Sequence, residues 1–301
     1  MRWRHFLAIV ELRTKAVSAS TFILGLLYSL WSGARPRPST LVLAFIATLL
    51  VDMGTTAFNS FFDWWRGTDR AETNREADKV LVHEGAPALA ALLIGLGLYA
   101  GAGILGLVLA LRAGAWVIGA GLASLLVGFL YSGGPWPISR TPLGELAAGG
   151  FLGSVLFLIV VGLSGGRADW RAVCASLPGA AMIAAVLAVN NACDRKEDRA
   201  AGRRTFAVIA GEGAARAYAL AWMALAFLGA AALSVSHNLP WAAGAGAALA
   251  LVPAVPMARA MLARGFGAST KTANMGAVVG ILLSWSLGLG LGLALAIFLP
   301  L

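Results

Sequence analysis

Residues 40–69 read TLVLAFIATLLVDMGTTAFNSFFDWWRGTD, an apolar run that passes without a break into an acidic end. From Thr40 to Phe62 the run holds no proline and one ionisable residue, Asp52. About 20 apolar residues suffice to cross a bilayer as a helix, so a transmembrane helix is expected over 40–62. Asn59 and Asp63 stand four apart and share one face of that helix, and Thr56 and Asp52 continue the face inward. Gly67 is placed to turn the chain and bring Asp69 back toward Asp63.

The rest of the chain repeats the apolar half of this pattern. Of 301 residues 59% are hydrophobic and only 12% charged, with a mean hydropathy of +0.80. Average soluble domains carry about 25% charge, so a water-soluble enzyme is excluded. Apolar stretches bounded by charge or Gly/Pro clusters lie at 16–34, 40–62, 86–110, 115–132, 142–164, 173–193, 215–236, 240–260 and 273–299. The expectation is an all-α, polytopic protein of nine transmembrane helices, with no linker dividing residues 1–301 into separate domains.

Charge supports that count. The N-terminal segment and the even-numbered loops, with the helix ends entering them, hold 18 of the 23 Lys and Arg, and the odd-numbered loops hold 5. Basic residues collect on the cytoplasmic side. The N-terminus is therefore expected in the cytoplasm and the C-terminus across the membrane. The net charge of +9 is explained by this bias and by anionic membrane lipid, with no call for nucleic acid. Glu11, Arg13 and Lys15 precede the first apolar run and no small-residue cleavage site follows it, so no removable signal peptide is expected. Cys174 and Cys193 form no metal or disulfide pattern, and His5, His83 and His237 are too scattered to ligate a metal.

Positive-inside bias does not explain carboxylates, yet 11 of the 14 Asp and Glu fall in the second and sixth loops or the helices entering them. The sixth loop reads Asn190-Asn191-Ala-Cys-Asp194-Arg-Lys-Glu-Asp198-Arg-Ala-Ala-Gly202-Arg203-Arg204-Thr205. Asn190, Asp194 and Asp198 again run at intervals of four on one face. Two helices thus each end on the cytoplasmic side with an Asn and two Asp. Facing carboxylates need a positive partner, and hard oxygen donors of this kind suit Mg²⁺, which keeps other positions for phosphate oxygens. Arg66, Arg70, Lys79, Arg203 and Arg204 would complete a diphosphate pocket by charge-assisted hydrogen bonds. The pattern predicts a magnesium–diphosphate site at the cytoplasmic mouth of a central membrane cavity.

These two motifs, with Tyr131-Ser-Gly-Gly-Pro-Trp-Pro-Ile-Ser-Arg-Thr-Pro-Leu-Gly-Glu145 between them, resemble the UbiA superfamily of intramembrane prenyltransferases. The order and spacing are most similar to its menaquinone branch, the 1,4-dihydroxy-2-naphthoate prenyltransferases. Tyr131 is followed four residues later by Pro135, whereas 4-hydroxybenzoate enzymes carry Lys there. The resemblance implies that Asn59, Asp63, Asp69, Asn190, Asp194 and Asp198 hold two Mg²⁺ on the diphosphate of a polyprenyl donor. It implies ionisation of the allylic C–O bond, attack by an electron-rich aromatic quinone precursor, and loss of that acceptor's carboxyl group as CO₂. Alternatives within the superfamily are another acceptor or an intramembrane terpene cyclase; from a different class, a secondary transporter coupled through its acidic residues. Tyr131 and Arg140 are expected to orient the acceptor. Asp52, an ionisable group inside a span, is expected to face the cavity. Glu145 is expected to be a charge favoured by the start of its helix, and most of the ten Trp are expected at the membrane interfaces or in packing.

Overall fold

In the computed structural model, which describes residues 3–69 and 79–299, every regular element among the described residues is helical. The long helices are α1 (Ala16–Trp31), α2 (Pro38–Trp65), α3 (Ala88–Ala113), α4 (Trp116–Ser132), α5 (Gly144–Leu163), α6 (Trp170–Cys193), α7 (Glu212–Val235), α8 (Trp241–Leu249), α9 (Leu251–Arg264) and α10 (Lys271–Phe298). Six of them, α2, α3, α5, α6, α7 and α10, are long and apolar enough to cross a bilayer. The pair α8 and α9, bent by 41° at its junction, makes a seventh. Helices α1 and α4 lie where crossings are expected but have 16 and 17 residues, about 25 Å of rise against a hydrocarbon core of about 30 Å. By length and composition the described residues therefore hold six or seven spans. The chain is an integral membrane protein.

Local chemistry sets several of the ends. Pro38 opens α2 at a position where its missing N–H costs nothing. Asp169 caps α6 by accepting from the amides of Arg171 and Ala172 at 3.0 and 3.1 Å. Tryptophans gather at helix ends, with Trp64, Trp65, Trp116, Trp170 and Trp241 all exposed there, while Trp285 is buried in the core. That is the distribution expected of indoles at membrane interfaces.

The helices pack through small residues. Helix α2 lies along α3, α6 along α7 and α8 along α10, and α10 returns to pack on α1 so that the bundle closes on itself. A Cβ on Gly288 of α10 would come within 2.2 Å of the Gly246 carbonyl on α8, and one on Gly153 within 2.4 Å of Ala180. In lipid no hydrophobic force drives helices together, so close approach of backbones supplies the attraction. The principal core runs along α6, α7 and α10, with Met182, Ile281 and Trp285 fully buried.

This packing leaves a cavity of about 370 Å³ among α2, α3, α4 and α5. Its walls are mostly apolar, and Thr48, Asp52, Thr55, Ser124 and Tyr131 are its polar lining. Gly288→Val should separate α8 from α10 and cost about 2 kcal/mol or more, as overpacking does. Gly97→Ala, which meets open space, should leave the thermal unfolding midpoint in detergent unchanged or slightly raised.

Candidate active site

The two acidic motifs end in the same way. Gly67 takes a left-handed conformation (φ 64°), and the Gly67 and Thr68 amides bond back to the Trp64 and Asp63 carbonyls at 3.0 and 2.8 Å. Gly202 does the same (φ 70°), with the Gly202 and Arg203 amides on the Arg199 and Asp198 carbonyls at 3.1 and 2.9 Å. Both are Schellman caps, which satisfy the last carbonyls of a helix and reverse the chain. Each places an aspartate, Asp63 or Asp198, three residues before its terminal cap position. The expected return of Asp69 is realised, since its amide bonds to the Asp63 carbonyl at 3.2 Å.

The segment between the motifs ties them together. Ile138–Arg140 forms one turn of 3-10 helix. Arg140 donates through one guanidinium nitrogen to Thr68 of the first motif at 3.2 Å and through the other to the Ala201 carbonyl of the second at 2.6 Å. Its own carbonyl accepts from the Arg204 amide at 2.9 Å, and the Ser139 carbonyl accepts from Arg203 at 2.9 Å. The geometry makes Arg140 a strap between the loops, a different task from contacting an acceptor.

Arg203 carries the electrostatics. It donates to Asp198 Oδ1 at 3.1 Å, and Asp63, Asp194 and the Tyr131 hydroxyl also lie within its field. Burial works against its charge, but these anionic neighbours outweigh burial and hold its pKa above the usual arginine value. Asp198 is 2% exposed, and its other oxygen, Oδ2, finds no hydrogen-bond partner among the described residues. Burial pushes its carboxyl up to about 6; Arg203 opposes this, while Asp194 and Asp63 reinforce it. The two motifs therefore face each other closely enough to share charge.

The remaining predicted residues divide into three groups. Near this centre, Asn190 donates to Asp194 Oδ2 at 3.3 Å, Asn59 accepts from Ser132 Oγ at 2.8 Å, and Lys79 lies 3.2 Å from Glu11 and 3.9 Å from Asp69. Tyr131 lines the apolar cavity and is within reach of the charges on Arg203, Glu145, Asp63 and Asp198, so it stands where cavity and charge centre meet. Others are engaged in structure. Arg66 donates to the Ser132 carbonyl and, at 2.6 Å, to the Gly134 carbonyl, stacked over Phe62 and Trp65. Asp52 does line the cavity, but its carboxylate is bound by Lys15 at 2.7 Å and Ser18 at 2.6 Å. An uncompensated charge at that depth is costly, and the Lys15 pair with the Ser18 hydrogen bond offsets part of that cost. Arg204 is exposed, and Arg70 lies outside the described residues.

Three residues enter that the motifs alone did not single out. Lys271, first residue of α10, donates to Asp194 Oδ2 at 2.7 Å. Glu145 stands in the first turn of its helix as expected, but it is 1% exposed and accepts from Asn191 at 2.8 Å, so it is also a buried partner of the second motif. Lys15 counted only toward topology in the sequence, and neither it nor Lys271 belongs to a local pattern that advertises a carboxylate partner in another helix.

The model of the UbiA prenyltransferase family matches residues 18–264. The chain belongs to the UbiA prenyltransferase family. It is 31% identical over 205 residues to a 1,4-dihydroxy-2-naphthoate octaprenyltransferase of Bacillus subtilis, covering 66% of each chain. It is also 31% identical over 178 residues to the enzyme of that name from Mycobacterium tuberculosis, covering 58% of this chain and 59% of the relative. The matched stretches thus span about three fifths to two thirds of those relatives' lengths. A UbiA homolog from Archaeoglobus fulgidus, solved bound to GPP and Mg²⁺, shares the fold with a TM-score of 0.57 at 16% identity, over 77% of this chain and 78% of that one. Family membership places the chain among the membrane prenyltransferases.

Removing the shared counter-charge should be felt by the whole site. Arg203→Met is expected to destabilise by about 3 kcal/mol in detergent unfolding, since it strands a buried carboxylate. Adding Asp198→Asn to that variant should recover part of the loss, and a double-mutant cycle measures how much.

Proposed function

We propose that this protein transfers a polyprenyl group from its diphosphate to 1,4-dihydroxy-2-naphthoate, with loss of CO₂, in menaquinone biosynthesis. The observation that carries the reading is the meeting of two acidic helix ends around Arg203, beside an apolar cavity into which Tyr131 also faces. The aromatic acceptor is supported by the two similar enzymes named for that substrate and by Pro135 standing where benzoate enzymes carry Lys.

The residues present fit a divalent cation in their chemistry. The donors are hard oxygens, Asp198 Oδ2 is buried without a hydrogen-bond partner among the described residues, and burial, reinforced by Asp194 and Asp63, raises the Asp198 pKa. Among the described residues no three Asp, Glu, His or Cys are gathered into a ready-made ligand cluster. Asn59, Asp63, Asp69, Asn190, Asp194 and Asp198 are the side chains that would hold Mg²⁺, which when bound neutralises the diphosphate and favours its departure.

The chain supplies the rest. Arg203, held by Asp198 and the Ser139 carbonyl, presents fixed positive charge where negative charge grows as the allylic C–O bond breaks. Arg204, exposed beside it, and Lys79 add positive charge at the same mouth. Arg140 keeps the two motifs in register by gripping both loops. The apolar cavity takes the prenyl chain and keeps water from the electrophilic carbon, and the Tyr131 hydroxyl at its edge orients the aromatic ring. All nine apolar stretches cross the membrane in this reading, with α1 and α4 as short spans, the N-terminus and the site on the cytoplasmic side, and residues 1–301 acting as one domain.

Purified protein given dihydroxynaphthoate and a prenyl diphosphate should release diphosphate and CO₂ and form a prenylated naphthoquinol, read by mass spectrometry. A cyclised hydrocarbon formed without acceptor would replace this proposal with a cyclase. Asp63→Asn and Asp194→Asn should each lower Mg²⁺-dependent turnover by about 10²-fold or more while the protein still inserts; chelation by EDTA should abolish wild-type turnover, and added Mg²⁺ should restore it.

A further inference from the structure

Lys271 stands in an unusual place for a cation. It is the first residue of α10, where the positive end of the helix dipole disfavours a positive side chain. Its ammonium donates at 2.7 Å to Asp194 Oδ2, the same oxygen that accepts from Asn190 at 3.3 Å. The backbone that delivers it is firmly built. Asn274, one turn along α10 and 0% exposed, accepts from Arg264 Nε at 3.0 Å and donates to the Gly265 carbonyl at 2.8 Å. The same amide lies 3.7 Å from Cys193 Sγ, next to Asp194 in the chain. Thr270 closes the 265–270 turn through its hydroxyl at 3.0–3.1 Å. The platform is rigid, and Lys271 reaches from it on a flexible four-carbon stem.

We propose that Lys271 is an exchangeable counter-ion, which neutralises Asp194 in the substrate-free protein, yields that carboxylate to the divalent cation, and then binds the diphosphate. This rests on the magnesium–diphosphate reading of the site. One carboxylate oxygen cannot give its full charge to an ammonium and to a divalent cation together, so the two compete for Asp194. The arriving diphosphate brings acceptor oxygens, and the lysine stem lets the ammonium turn to them without backbone movement. The same side chain therefore opposes metal binding before substrate arrives and supports substrate binding afterwards. It is a positioning and binding residue with opposite signs in the two states.

The test is Mn²⁺ binding followed by electron paramagnetic resonance on full-length protein in detergent, without and with inorganic pyrophosphate. Lys271→Met should bind Mn²⁺ about tenfold more tightly than wild type when pyrophosphate is absent, and its Mn²⁺-dependent pyrophosphate affinity should fall about tenfold. Lys271→Arg should return both values toward wild type. A lysine that merely ties α6 to α10 would leave Mn²⁺ affinity unchanged or weaker in Lys271→Met, and that result overturns the proposal. If Lys271→Met does not fold, Lys271→Gln makes the same charge change and is read the same way. Failure of the wild-type protein to bind Mn²⁺ overturns the metal reading itself, and is distinct from a wild type that binds while Lys271→Met behaves identically.

Discussion

Four carboxylates and a guanidinium set the terms for this structure. Asp63, Asp69, Asp194 and Asp198 sit at or just beyond helix ends and are partly or fully buried, where an uncompensated charge is costly. Arg203 answers Asp198 directly and is felt by Asp63 and Asp194, while Lys271 and Lys79 lie against Asp194 and Asp69. Asp198 keeps one buried oxygen without a hydrogen-bond partner among the described residues, and burial pushes its carboxyl up to about 6.

The local turns follow from that requirement. Gly67 and Gly202 each allow a left-handed residue, and the resulting caps satisfy helix carbonyls while folding the loop back over its own aspartates. The stretch from Tyr131 to Glu145 then works mainly as a coupling segment. Its Arg140 grips both loops, its Ser139 carbonyl holds Arg203, its Gly134 carbonyl holds Arg66, and its Glu145 holds Asn191. Arginines in a site of this kind have two distinct uses. Arg66 and Arg140 donate to backbone carbonyls and fix the shape, while Arg203 joins a backbone carbonyl to the Asp198 carboxylate.

Much was legible before any coordinates. The apolar stretches at 40–62, 86–110, 142–164, 173–193 and 215–236 each coincide with a helix of spanning length, because apolar runs of 20 residues have one stable form in lipid. Asn59, Asp63, Asn190, Asp194 and Asp198 stand out in the sequence because acids are rare in the chain, but the single face expected for Asn190, Asp194 and Asp198 is broken, since α6 ends at Cys193 and Asp198 lies in a separate short helix, Arg195–Ala200. The bend between α8 and α9 and the short α1 and α4 were not legible, since hydropathy records composition and not the geometry of a helix.

The sequence by itself determined that the chain lives in a membrane, that two of its helices lead into acidic segments, and that Gly67 can turn the chain after the first of them. These are properties of near neighbours in the chain, fixed by bilayer thickness, helical period and the conformational freedom of glycine. Only the tertiary structure decided which cation meets which carboxylate. Lys15 reaches Asp52 across 37 residues and Lys271 reaches Asp194 across 77, while Arg140 joins loops more than 60 residues away on either side. Coulomb attraction depends on distance in space, and only the packing of the small residues that bring the helices together sets those distances.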